Sequence, residues 1–424
     1  MSLIPFGSDL SMTLQSKAVF AASQQKLTKI AQMSQPFPTD EQSMKKIKMQ
    51  TSNDYPVILC RDLSKSPGDE ITFDLLNPMN GKPIMGDAYA EGKGKKMEFS
   101  QDRLRVNQSR FPIFAGSTMD QQRTVHDLQK LARTQAKAYM PQLEDQLSMV
   151  HLAGARGFHD NIEWNVPLES DADFDSIVVN TVRCPTANRH FISTGDGIET
   201  VKASGNEITI ATTDTMALDV VEAIGNHVDS MALPIAPCKF KGDTMAADNP
   251  IRVLWVSPNQ YSDIRKDGNF RQLQSQALAR ASKAGGNPVF TGEVGLWDNT
   301  LVMKMHKPIR FYAGDPINWC ESKYSATETT TDLVPSAFST THAVDRALLI
   351  GAQALAHAYG GYKKTSSPYF WSEKMLDHDD KVEFLIGMIA GMSKIRFLLD
   401  HGGANPEYTD NGVIAVDSAV SLSS

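Results

Sequence analysis

The chain has 424 residues, with 41% hydrophobic and 21% charged side chains, the make-up of a soluble globular protein large enough for more than one real core. A net charge of −7, from 42 Lys+Arg against 49 Asp+Glu, argues against a nucleic-acid reader, which needs a basic surface to neutralise phosphates. No apolar run approaches the ~18 residues of a membrane-spanning helix. The best stretch, "VEFLIGMIAGM" at 382–392, is too short and contains Glu383.

The N-terminal sequence lacks a charged segment followed by a compact apolar one, so no signal peptide is expected. The four cysteines, Cys60, Cys184, Cys238 and Cys320, lie far apart without a CxxC and read as buried free thiols of a reduced compartment.

Residues 1–67 are polar and Gln/Ser/Met/Lys-rich, with Pro36, Pro38, Pro56 and Pro67, which predicts an extended arm rather than a domain. Next comes "GDEITFDLLNPMNGKPIMGDAYAEGKGKKMEFSQDRLRVNQ" at 68–108. "DEITFDLL" and "KKMEFSQDRLRVNQ" alternate with period two around a glycine-rich polar tip, the pattern of a long β-hairpin. Arms of roughly 20 residues would reach on the order of 60 Å. A two-stranded ribbon is marginal in water, so this one is expected to rest on something outside itself.

"STMDQQRTVHDLQKLARTQAKAYMPQLEDQLSMVHLAG" at 117–154 predicts one long helix. Ser117 or Thr118 supplies the N-cap and Asp120 an acidic first turn. Val125, Leu128, Ala132, Ala136, Met140, Leu143, Leu147 and Val150 recur every three to four residues. Gly154 and Gly157 end it, and Pro141 is expected to kink or break it.

The stretch 155–212 is irregular, with "SIVVNTV" and "NEITIAT" as short strands. Residues 213–231 read as an amphipathic helix capped by Asp214. "IRVLWVSP" is a buried strand, "PNQYSDIRKDGNFRQLQSQALARASKAGG" a helix, and "LVMKMHKPIRFY" a strand. "HAVDRALLIGAQALAHAYGG" reads as an apolar helix with small residues for close packing, and "VEFLIGMIAGMSKIRFLL" and "NGVIAVDSAV" as closing strands. No internal repeat is visible.

Candidate chemistry is sparse. "DADFD" places Asp171, Asp173 and Asp175 like the start of a calcium loop, but the glycine at position six and glutamate at twelve are missing. His378 and Asp379 in "DHDD" (377–380) could touch a metal, yet adjacent side chains cannot converge without folding back, so a surface turn is the plainer reading. The ten histidines show no HExxH or zinc spacing. His151, His159 and His357 read as packed or capping residues. No phosphate loop or GxSxG occurs, and "GNPVFTGEVG" (286–295) precedes a strand, the wrong context for a dinucleotide. No catalytic, cofactor-binding or metal residue is assigned, and no cofactor is expected.

Five blocks in fixed order resemble the major capsid proteins of tailed bacteriophages with the HK97-like capsid fold, an α+β architecture, and within them the N-four podovirus family. They are the "GD…EG" ribbon, "DQQRTVHDLQKLARTQAKAYMPQLEDQLSMVHLAGARG", "VLWVSPNQYSDIRKDGNFRQLQSQALARASKAGGNPVFTGEVGLWDNTLV", "RALLIGAQALAHAYG" and "DNGVIAVDSAV". The likeness covers about residues 54–424.

The resemblance implies a layout. Residues 1–67 are the N-terminal arm and 68–108 the extended loop (a β-hairpin) lying across a neighbouring subunit. Residues 109–212 are a peripheral domain, with spine helix 119–153 and an irregular insertion at 155–212. Residues 213–375 are an axial domain, and 376–424 return to the peripheral domain.

It also implies a homo-oligomer of pentamers and hexamers in an icosahedral shell, assembled in the bacterial host cytoplasm. That shell encloses double-stranded DNA without sequence-specific binding and touches no membrane. Portal, decoration and scaffolding proteins are implied partners, the scaffold a separate chain because the arm is short. Lys93, Lys95 and Lys96 sit at the ribbon tip, where some relatives cross-link a lysine to an asparagine; no such bond is expected here. The rivals are an encapsulin-type compartment of the same fold and a metal-dependent hydrolase using the aspartates or His378 with Asp379.

Overall fold

The computed structural model describes residues 55–60, 69–76, 83–87, 89–94, 99–123, 127–231, 233–239, 251–266, 295–297, 300–305, 307–321, 325, 327–361, 368–399 and 407–422. In chain order the first elements are β1 (Val57–Cys60), β2 (Glu70–Leu76), β3 (Phe99–Arg105), β4 (Asn107–Ser117), α1 (Thr118–Arg123), α2 (Leu128–Ala153) and α3 (Phe174–Val178). Short strands β5 (His190–Ser193), β6 (Ile198–Thr200), β7 (Ala203–Ser204) and β8 (Glu207–Ile208) lead to α4 (Leu218–Ser230), β9 (Arg252–Val256) and α5 (Pro258–Arg265). Then come β10 (Gly295–Trp297), β11 (Thr300–Lys304), β12 (Ile309–Phe311), β13 (Pro316–Trp319), β14 (Thr330–Leu333), β15 (His342–Ile350) and β16 (Leu355–Tyr359). The chain closes with β17 (Tyr369–Leu376), β18 (Lys381–Lys394), β19 (Arg396–Leu399), β20 (Glu407–Asp410) and β21 (Val413–Ser421).

Two large sheets organise these elements. The first runs β1-β16-β18-β17, with β4 pairing the other edge of β18. The second has the order β10-β11-β9-β15-β21-β5-β6, with β12 also on β15. One continuous core joins them. It takes Ala136, Met140, Leu143 and Leu147 of α2, Phe384 and Ile386 of β18, and Trp255, Leu348 and Phe311 of the second sheet. The opposite face of the second sheet packs Leu254, Val256, Ala347 and Leu349 against Val220, Val221 and Ile224 of α4 and Tyr261 of α5.

Helix α2 is narrower than the sequence expectation. The expected cap forms, with Ser117 and Asp120 bonding each other reciprocally, Asp120 Oδ2 accepting from Ser117 N at 3.0 Å and Ser117 Oγ from Asp120 N at 3.2 Å. It caps only the six residues of α1. A second start follows, where Asp127 accepts from Lys130 N at 3.0 Å. The rod is therefore 26 residues, about 39 Å long, and it runs through Pro141 without ending. Gly154 stops it with φ 67°, its N–H donating to Val150 O. A Cβ there would lie 2.4 Å from Arg183 O, so only glycine fits.

Several other expectations are corrected. "HAVDRALLIGAQALAHAYGG" is not a helix: it is β15, a turn, and β16. Its unbroken apolar run reflects burial on both faces, since Leu348 and Ile350 face one core and Ala347 and Leu349 the other. Such a run cannot be told from a buried helix by periodicity alone. Part of "SIVVNTV" lies in the short helix α3 rather than a strand.

Helix α4 starts at Leu218, not 213, because Asp214 caps a turn by accepting from Ala211 N at 2.7 Å. "LVMKMHKPIRFY" makes two strands, β11 and β12, and "NEITIAT" pairs only over β8. Of the long helix expected after Ser257, Pro258–Arg265 is described; the remainder, with most of "GNPVFTGEVG", lies outside the described residues, as do Val125, Lys95, Lys96 and residues 1–54 of the arm.

The strands of 382–424 are divided. β18 lies beneath α2 in the first sheet, whereas β21 sits inside the second, paired with β15 over nine residues. Across that pair Arg346 Nε meets Asp417 Oδ1 at 2.7 Å, His190 Nε2 lies 2.6 Å from Asp417 Oδ2, and Arg346 Nη1 donates to Ala153 O at 3.0 Å. This network ties the last turn of α2 to the second sheet. Burial would raise the Asp417 carboxyl, but Arg346 and His190 hold it well below the usual carboxylate range.

Candidate assembly surface

The ribbon forms with the expected pairing, Glu70 opposite Arg105 through Leu76 opposite Phe99. The described pairing spans seven residues on each arm, about 23 Å; the rest of the expected arms, residues 77–82 and 95–98, lies outside the described residues. The base of the ribbon rests on its own body, contrary to expectation. Leu104 and Ile71 are buried among Ile58, Cys60, Ala356, Ala358 and Ile395. Here β1 matters: this part of the supposed arm is a buried strand, parallel to β16, with Val57 and Leu59 in the main core and Ile58 and Cys60 beneath the ribbon.

Polar contacts fix the same base. Arg183 grips Asp102 with both terminal nitrogens, at 2.6 and 2.5 Å, and Nη1 also donates to Lys394 O at 3.2 Å. Asn180 brackets Arg105, accepting from its N–H at 2.9 Å and donating to its carbonyl at 2.9 Å. At Gly391 of β18 a Cβ would fall 1.9 Å from Arg105 O. The ribbon backbone therefore lies directly on β18, and β3 continues through Val106 into β4, which pairs β18 from Asn107 to Ser117.

The tip is built differently. Met85 is 77% and Tyr89 69% exposed, with Ile84 exposed beside them, and Tyr89 OH donates to the Glu91 carboxylate. A second apolar cluster is exposed where β4 passes into α1 and α2, namely Phe114, Met119 and Leu131, with Met375 near the β17–β18 turn. That turn is joined to α1, since Thr118 N donates to Asp380 O at 3.0 Å. Single exposed apolar residues are ordinary, but grouped ones mark contact surfaces. Sequence periodicity missed the anchor residues Arg183, Asn180 and Gly391, because their partners lie far away in the chain and no local signal marks them.

The remaining candidates stay dispersed. Asp171, Asp173 and Asp175 are exposed around α3, and Asp171 Oδ1 accepts from Asp173 N at 2.9 Å in a local turn. His378 and Asp379 project from the turn after β17, where Asp377 pairs Lys381 at 2.7 Å. No group of three potential metal ligands converges among the described residues. His151 is buried, bonded to Val178 O at 3.2 Å, and burial pushes its pKa down to about 4. His159 Nδ1 meets Tyr312 OH at 3.2 Å, and His357 lies in β16. Lys93 is exposed at the ribbon tip. All four cysteines are buried thiols outside any disulfide, as expected. Among the described residues no helix is long and apolar enough to cross a membrane.

A sequence model of the family described as phage capsid protein matches residues 3–422. The chain belongs to the phage capsid protein family. It is a structural major capsid protein of a tailed phage, a component of the virion shell. The capsid of Ralstonia phage GP4 superposes with a TM-score of 0.67 at 25% identity, covering 100% of this chain and 99% of that one. The cyanophage Pam1 capsid follows at 0.58 and 13% identity, covering 92% and 95%. A capsid protein of Helicobacter pylori bacteriophage KHP30 gives 0.53 and 14%, covering 87% and 89%. No curated protein matches the sequence. The capsid protein thus has the HK97-like fold.

Proposed function

We propose that this capsid protein closes into an icosahedral shell of pentamers and hexamers around double-stranded DNA, with the ribbon tip of each subunit held by a neighbour. The observation that carries this reading is the grouping of Ile84, Met85 and Tyr89 in water beyond an anchored base. An apolar tip on a braced ribbon gains by burial against another copy at about 25 cal/mol per Å². Each contact is weak, but a closed shell holds every subunit by several at once.

In this reading the first sheet with α2 serves as the peripheral domain (109–212 with β18 of 376–424). The second sheet serves as the axial domain (213–375), to which β21 adds. The insertion 155–212 contributes outer contacts, and the part of the arm ahead of β1 reaches a further neighbour. A separate scaffolding protein, portal and decoration proteins complete the particle in the host cytoplasm. The acidic balance, −7 overall, keeps DNA from adhering to the wall.

The test is electron microscopy of the purified full chain beside the triple variant Ile84→Ser, Met85→Ser, Tyr89→Ser. Shells from the parent and folded, unassembled subunits from the variant are expected. Normal shells from the variant would overturn the role of the tip.

A further inference from the structure

Among the described residues, the buried carboxylate of Glu144 has no cation facing it at hydrogen-bond distance. Glu144 lies on α2, 6% exposed, among the side chains that join the helix to the first sheet. Its Oε1 accepts from Tyr369 OH of β17 at 2.5 Å and from Tyr359 OH of β16 at 3.2 Å. His357 of β16, fully buried and tilted against the Tyr359 ring, holds Nε2 at 3.9 Å from the same oxygen. Asp145, the next residue of α2, adds a like charge. Among the described residues, the titratable groups that face Glu144 from the helix and from both strands are thus two phenols, an aspartate and a histidine beyond hydrogen-bond reach.

This arrangement contrasts with the other buried ions. Asp417 has Arg346, Asp345 has Arg310 at 2.6 Å, and Asp410 has both Arg396 and Lys394 at 2.7 Å. These three buried carboxylates are neutralised by guanidinium or ammonium groups, whereas buried Asp332 accepts from the Trp319 indole N–H at 2.6 Å. At Glu144 two phenol hydroxyls stand instead, and these serve a neutral carboxyl well but compensate a buried charge poorly.

We propose that Glu144 is a proton-controlled clasp: protonated, it holds α2 against β16 and β17, and on losing the proton it loosens that contact. Desolvation raises the carboxyl from its ordinary 4.5 to about 7, the tyrosine hydrogen bonds only partly opposing it. The folded state therefore binds the proton more tightly than the unfolded chain. Its stabilising effect is complete below about pH 4.5, declines as pH rises from there to about 7, and is gone above. That gap caps the linked change in the opening equilibrium at a few hundred-fold. Because α2 also reaches the second sheet through Ala153 O and Arg346, loosening the clasp frees the helix from one sheet while it stays tied to the other.

Two measurements on the full chain test this, and neither depends on shell formation. Thermal unfolding of parent and Glu144→Gln is followed from pH 5 to 8. Relative to the variant, the parent melting temperature is expected to fall between pH 5 and 7 and then level off. Hydrogen exchange of the parent alone, corrected for the intrinsic rate, is expected to show α2 amides losing protection over the same window while β15 and β21 keep theirs. Parallel pH profiles for parent and variant, or α2 protection independent of pH, would overturn the proposal. The exchange arm stands even if the variant does not fold.

Discussion

At its base the ribbon is held by Leu104 at 0% exposure, by the Arg183–Asp102 grip and by a backbone contact at Gly391 too close for any side chain. At its tip Met85 and Tyr89 stand in water with nothing of their own subunit over them among the described residues. On the proposed reading, the same hairpin belongs to the fold at one end and to the assembly at the other. If so, stability and shell formation are expected to separate, because base and tip are different side chains.

Substitutions can break or sharpen this contrast. Leu104→Ala at the base should cost the dispersed subunit about 2–5 kcal/mol in urea unfolding, the loss for a buried leucine with its cavity. Gly391→Ala should cost about 1–3 kcal/mol, since the added methyl meets the Arg105 carbonyl, which is backbone and moves only with the ribbon. Arg183→Ala strands the Asp102 carboxylate, 12% exposed, and should cost about 1–3 kcal/mol; a cost near zero would show that packing alone seats the base. Met85→Ser should change subunit stability by no more than about 0.5 kcal/mol, yet lower the yield of shells in sedimentation. Equal effects of base and tip changes on the melting temperature would dissolve the distinction.

What the sequence disclosed follows the range over which its signals act. The hairpin, the amphipathic face of α2 and its Gly154 stop were legible because alternation, three-to-four spacing and a left-handed terminus are local properties. β15 and β16 were read as a helix because Leu349 and Leu348 serve two different cores, information held by α4 and α2 rather than by the strand. The short α1 was hidden because Asp120 and Asp127 are equally good starts. At the assembly surface the exposed tip was visible as a run with too few apolar groups to fold alone. The anchor was not visible, since Arg183 is 81 residues from Asp102 and nothing near either announces the other.

The direct passage of β3 into β4 has a mechanical consequence. β4 lies antiparallel along β18 from Asn107 to Ser117, so a pull on the ribbon that follows the line of β4 would load that ladder lengthwise. A ladder pulled lengthwise must slide many bonds together, whereas one pulled crosswise opens like a zipper. Pulling single molecules from a cysteine placed at position 85 should therefore give one abrupt high-force rupture instead of a staircase, the behaviour wanted of a wall under internal pressure.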